Sequence, residues 1–181
     1  SDGTVFVTSD SYSDEALLKS SDGINWTAVG SGLTTSSGYI NPASLIITST
    51  GRIIVSSRNF NDIGSGNYQS LYASDDGGTS WSTLGDGTGS NLVAQFWAGM
   101  VSDAGSAVYG FKYFSGSYNR DLGFESSDDG VSWTAIDETG YTENLDHDPV
   151  CSHISSSQYI YVCTENSGVY RTVDVMQDLV Y

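Results

Sequence analysis

The residues of this sequence able to do chemistry are carboxylates, arginines and tyrosines set in polar stretches. Hydrolysis of a glycosidic bond needs two carboxyl groups facing each other across a cleft, and Asp62 and Asp146 could stand that way. With 22 acids in the chain, such a pair is also easily found by chance. Tyr12, Tyr39, Arg58, Asp62, Tyr68, Tyr118, Arg120, Asp146 and His147 suit a sugar or a protein surface. Tyrosine rings stack on apolar faces while the polar groups bond hydroxyls or amides. The competing reading is solvated turn residues. Two oxygen-rich stretches, Asn59-Phe60-Asn61-Asp62 with Ser65 and Asn67, and Glu143 through Asp148, carry ligands that calcium accepts. Neither has an EF-hand spacing, and ordinary polar turns account for both. His147 and His153 are not spaced as a zinc pair, and no Ser-His-Asp or Cys-His arrangement can be drawn. No catalytic residue, no metal ligand and no cofactor other than calcium is therefore expected, and an enzyme is the weaker expectation.

Composition narrows the partners. The chain has 181 residues, room for one domain with a substantial core. Its net charge of -16 repels phosphate backbones and anionic bilayers, so nucleic acid and membrane insertion are not expected. No apolar run approaches the ~20 residues of a membrane-spanning helix. The chain opens at Ser1 with no Met and no signal-peptide pattern, and reads as a mature or excised form. Cys151 and Cys163 flank a hairpin turn at Ser155-Ser156-Ser157-Gln158 and face each other across it, so a cross-strand disulfide is possible, two free thiols being the alternative. A disulfide there favours an extracellular or surface location.

The elements that must position these residues are strands. Gly, Ser, Thr, Asn and Asp are abundant, and Tyr and Trp are frequent, as half-buried strands joined by tight turns require. The nearest candidate for a helix, Asp14 through Lys19, is short and runs into a turn. A turn motif recurs roughly every 50 residues. Ser74-Asp75-Asp76-Gly77-Gly78-Thr79-Ser80-Trp81 and Ser126-Ser127-Asp128-Asp129-Gly130-Val131-Ser132-Trp133 share the pattern S-x-D-x-G-x-x-W. Ser20, Asp22, Gly23 and Trp26 give the same motif one residue shorter, and a degraded copy keeps Thr172 and Asp174 but has Met176 for Gly and Leu179 for Trp. A short apolar strand precedes each copy, another follows it, and a hairpin lies upstream, so a complete unit is a four-stranded meander of propeller-blade size. The hydroxyl and carboxylate are expected to accept N–H bonds within the turn, Gly to supply positive φ, and Trp to bury its ring between neighbouring sheets.

These motifs resemble the Asp-box, or bacterial neuraminidase repeat, and the resemblance spans essentially the whole chain. It implies an all-β, β-propeller-type array of about four four-stranded antiparallel blades, the first incomplete, in one domain with units at about 1–30, 43–85, 93–137 and 149–181. Family precedent places ligand sites on the face opposite the Asp-boxes, where the longer loops carry the nine residues named above. A sialidase of this family uses an arginine triad, a tyrosine nucleophile and an acid; this chain has only Arg52, Arg58, Arg120 and Arg171, and Arg52-Ile53-Ile54 lacks the Pro of the family's arginine element. The expectation is a non-catalytic extracellular or virion-surface module that recognises glycan or protein. The alternative is a self-assembling subunit, a ring or filament completed by a strand from a neighbouring chain, and a third reading is a fragment of a sialidase-like hydrolase. Asn25-Trp26-Thr27 also fits an N-glycosylation sequon inside the first box.

Overall fold

Successive side chains point to opposite faces of a sheet, and strands such as Ile53-Ile54-Val55 and Leu71-Tyr72-Ala73 are apolar at consecutive positions, so both faces need a neighbour to bury them. The computed structural model describes residues 3–9, 13–35, 38–39, 42–57, 71–84, 99–102, 108–111, 123–135, 149–155, 159–164, 168–172 and 179–180. Among these, three sheets are four-stranded antiparallel meanders in strict chain order. The second blade comprises β6 (Pro42–Ile47), β7 (Ile53–Ser57), β8 (Leu71–Ser74) and β9 (Ser82–Thr83). The third comprises β10 (Gly99–Ser102), β11 (Val108–Phe111), β12 (Gly123–Ser126) and β13 (Thr134–Ala135). The fourth comprises β14 (Pro149–Ile154), β15 (Ile160–Thr164), β16 (Gly168–Thr172) and β17 (Leu179–Val180). The first blade has three strands among the described residues, β1 (Val5–Thr8), β2 (Leu17–Ser20) and β3 (Thr27–Ala28).

Two local features differ from the sequence expectation. The stretch between the first and second blades is not a plain loop: β4 (Thr34–Thr35) and β5 (Gly38–Tyr39) pair as a two-stranded ribbon. Asp14–Ala16 forms a single 3-10 turn, capped by the Ser13 hydroxyl accepting from the Glu15 amide, and the chain then enters β2 directly. The short apolar strand expected before the first motif thus forms at Leu17–Ser20, paired with β1.

The blades stack through residues of opposite parity. In the second blade Ile53, Val55 and Tyr72 pack against Leu17, Val29 and Leu33 of the first. Their immediate neighbours Ile54, Leu71 and Ala73 point the other way and pack with Val108 and Trp133 of the third. Tyr109, next to Val108, joins Ile160 and Val162 of the fourth. A one-residue slip would reverse every side chain, so this parity fixes the register. Each fully buried Ile, Leu or Val contributes about 1.5–3 kcal/mol relative to exposure. Neighbouring sheets meet where β1 lies beside β6, β6 beside β10 and β10 beside β14. In the β6–β7 hairpin, Gly51 at φ +88° closes the turn, its amide donating to the Thr48 carbonyl at 3.0 Å. Cys151 and Cys163 pair across β14 and β15 and are joined by a disulfide, with Cα atoms 5.0 Å apart. Among the described residues, no helix is long and apolar enough to cross a membrane.

Candidate functional site

The three complete turn motifs are built alike. The buried hydroxyls of Ser20, Ser74 and Ser126 each accept the amide of the motif glycine, Gly23, Gly78 or Gly130, at 2.8 Å. Each also donates to the motif aspartate, at 3.0 Å for Asp22, 2.8 Å for Asp76 and 2.7 Å for Asp128. The same carboxylates then gather the amides ahead of the tryptophan. Asp22 accepts from the amides of Ile24 and Asn25, Asp76 from those of Thr79 and Ser80, and Asp128 from that of Ser132.

A fourth member of the motif did not stand out in the sequence. The residue before each tryptophan donates its side chain to the second carboxylate oxygen: Asn25 Nδ2 at 2.7 Å, Ser80 Oγ at 2.6 Å and Ser132 Oγ at 2.6 Å. The available signal was a small polar donor directly before Trp in all three copies. The sequon asparagine Asn25 thus has its amide group engaged within the turn.

These bonds hold the aspartates ionised. Asp22 is pushed well below the usual carboxylate range, first by the Asn25 amide and then by its side chain. The hydroxyl and amide of Ser80, followed by the Ser74 hydroxyl, lower Asp76 to about 2. At Asp128 burial works the other way, yet the bonds from Ser132 and Ser126 outweigh it and the net shift is downward. Because Asp76 titrates lower folded than at its ordinary value of 3.8, its contribution is present above that pH and is lost as pH falls towards 2. Asp76→Asn is therefore expected to unfold at lower urea than the parent at pH 6. The gap should narrow steadily between pH 4 and 2, which urea titrations at several pH values check; a gap independent of pH contradicts the assignment.

The turns also bind neighbouring blades to each other. Arg52, at the start of β7, forms a two-pronged pair with Asp75, Nε to Oδ1 at 2.8 Å and Nη2 to Oδ2 at 3.0 Å. Its Nη1 donates to the Asp129 carbonyl of the third blade at 3.2 Å, and the Thr50 hydroxyl donates to Asp129 Oδ2 at 2.8 Å. Lys19 of the first blade donates to the Gly77 carbonyl of the second at 3.0 Å. Arg52, considered above as the nearest string to a sialidase arginine element, is committed to this seam. The tryptophans differ by position. Trp133 is 5% exposed within the core between the second and third blades, whereas Trp26 is 40% exposed because no preceding blade covers it among the described residues. The Trp81 indole donates to the Val29 carbonyl of the first blade at 2.9 Å.

The opposite end of the blades carries the other candidates. The chain leaves β1, β7 and β11 and re-enters β2, β8 and β12 at the end away from the turn motifs. The intervening segments hold Tyr12, then Arg58, Asp62 and Tyr68, then Tyr118 and Arg120. Asp146 and His147 precede β14, and Tyr39 ends β5, paired with Thr34. Meander topology therefore brings the ends of these segments to one side. The residues themselves lie outside the described residues, as do the two calcium-type stretches and Asp174; of Tyr39, the backbone is described. Among the described residues, no group of three or more His, Cys, Asp or Glu could hold a metal ion.

No family model matches the sequence, and no curated protein matches it. Solved structures do resemble the fold. A GH74 xyloglucanase from Xanthomonas campestris aligns with 98% of this chain, at 17% identity and a TM-score of 0.60, over 28% of its own length. A protein of unknown function from Dyadobacter fermentans aligns with 91% of the chain, at 15% identity and a TM-score of 0.56, over 56% of its length. YCF48 bound to D1 peptide aligns with 99%, at 13% identity and a TM-score of 0.56, over 49% of its length. The fold is an all-β, propeller-type array, and the chain spans about half or less of each of these structures.

Proposed function

We propose that this chain is an Asp-box propeller module, extracellular or on a cell or virion surface, that binds glycan or protein without catalysis. The ligand surface is the set of loops opposite the box turns. The observation that carries this reading is the commitment of the box carboxylates. Asp22, Asp76 and Asp128 are saturated by local donors and held ionised, so they serve as turn locks and not as proton donors to a substrate. Arg52 is likewise tied into the seam between blades. That leaves the opposite end, with its longer and chemically varied loops, for recognition. The Cys151–Cys163 bond supports an oxidising compartment. A propeller of similar fold solved with a peptide bound supports protein as one ligand class.

The test is a printed glycan array and a displayed peptide library probed with the parent, with Tyr68→Ala/Tyr118→Ala and with Asp76→Asn. Binding retained by Asp76→Asn and reduced at least about tenfold in the tyrosine pair, a loss of about 1.4 kcal/mol, supports the reading. Equal binding by all three overturns the placement of the surface. Turnover of a xyloglucan or sialoside substrate by the parent would replace a binding module with an enzyme.

A further inference from the structure

In each complete box a polar donor precedes the tryptophan and a hydroxyl residue follows it: Asn25-Trp26-Thr27, Ser80-Trp81-Ser82 and Ser132-Trp133-Thr134. Only the first, with asparagine as its donor, spells an acceptor for N-linked glycosylation. No other asparagine of the chain has Ser or Thr two residues on. We infer that Asn25 is a modification site that carries an N-linked glycan at the box end of the first blade. The inference rests on the extracellular reading above, since this modification belongs to secreted and surface proteins.

Asn25 and Thr27 are both exposed, Asn25 in the turn and Thr27 at the start of β3. That exposure belongs to the turn itself. Ser80, Ser82, Ser132 and Thr134 are exposed too, in boxes whose tryptophans pack against the preceding blade. Asn25 holds Asp22 with two donors, its backbone amide to Oδ1 at 2.7 Å and Nδ2 to Oδ2 at 2.7 Å. A side-chain amide nitrogen carries two hydrogens, so one can keep that bond while the other is replaced. The turn is also roomy: a methyl group at Gly23 would meet nothing within 4 Å. In the transfer, Nδ2 bonds the anomeric carbon of an oligosaccharide linked to a polyprenyl diphosphate. The carbon–oxygen bond to the diphosphate breaks, the diphosphate leaves with its electron pair, and Nδ2 gives up one proton. The glycan stands at the end away from the loops and leaves the ligand face clear.

The test is secretion of the full chain from cultured human cells behind a cleavable signal peptide, with the intact mass measured before and after peptide-N-glycosidase. The parent is expected to be heavier than the bare chain by one oligosaccharide, which digestion removes, leaving Asn25 deamidated. Asn25→Ser supplies the donor of the other two boxes, so the turn stays closed, and Thr27→Val removes only the hydroxyl. Both variants should be secreted at the bare chain mass. A parent secreted at the bare mass overturns the inference, and so does a glycan that persists in Asn25→Ser. Alkylation of free thiols in the same sample keeps the two readings apart. A glycan-free parent with Cys151 and Cys163 protected sinks the acceptor and leaves the extracellular reading standing, whereas a glycan-free parent with both thiols reactive sinks the two together.

Discussion

Trp133→Ala is expected to lower the stability of the fold by about 3–5 kcal/mol, the range for deleting a buried aromatic ring. The ring sits with Ile54, Leu71 and Ala73 of the second blade and Val108 of the third. Its removal opens a cavity in the seam between two sheets, where neither backbone can collapse to fill it. It also strips the Gly130 carbonyl of the indole donor at 3.0 Å, adding an unsatisfied polar group to the lost contacts. Urea denaturation followed by far-ultraviolet circular dichroism measures the change directly. A loss below about 1 kcal/mol, the central value for an unselected substitution, would mean that this tryptophan does not seal the seam.

The second large effect separates two glycines with the same backbone and different surroundings. Gly23 and Gly130 have φ of +72° and +78°, so an alanine at either place pays about 1–2 kcal/mol for the left-handed conformation. At Gly23 a methyl group meets nothing within 4 Å. At Gly130 it would stand 2.6 Å from Ile54 Cδ1 and 3.4 Å from the Trp133 ring. Ile54 is fully buried, so its methyl cannot swing into solvent, and overpacking adds a further ~1–3 kcal/mol. Gly130→Ala should therefore unfold at clearly lower urea than Gly23→Ala. Equal midpoints would show that the seam between the second and third blades is looser than its side chains imply.

What was legible in the sequence follows from how local each feature is. The S-x-D-x-G turn closes through bonds between residues two to four apart, so its residue types and spacing reveal it without any tertiary knowledge. The cross-strand register of Cys151 and Cys163 was equally readable, because one short hairpin determines it. The seam was not. Arg52 meets Asp75 and Asp129, residues 23 and 77 positions away, and Lys19 meets Gly77 across 58 positions. An arginine with two distant partners looks the same in sequence as an arginine waiting for a substrate. The exposure of Trp26 was hidden for the same reason: the motif is intact, and what differs is the neighbour beyond it. The ligand residues proposed on the loop face rest on meander topology and residue chemistry, since no periodic pattern spans the segments that carry them.

The most direct test of the central claim, that recognition belongs to the loop end and structure to the box end, is hydrogen–deuterium exchange with and without the glycan or peptide retained by the binding screen. The account predicts new protection in segments 58–70 and 112–122, with the box turns at 20–26, 74–81 and 126–133 unchanged. Protection concentrated in those three turns, with the loop segments unaffected, would contradict it.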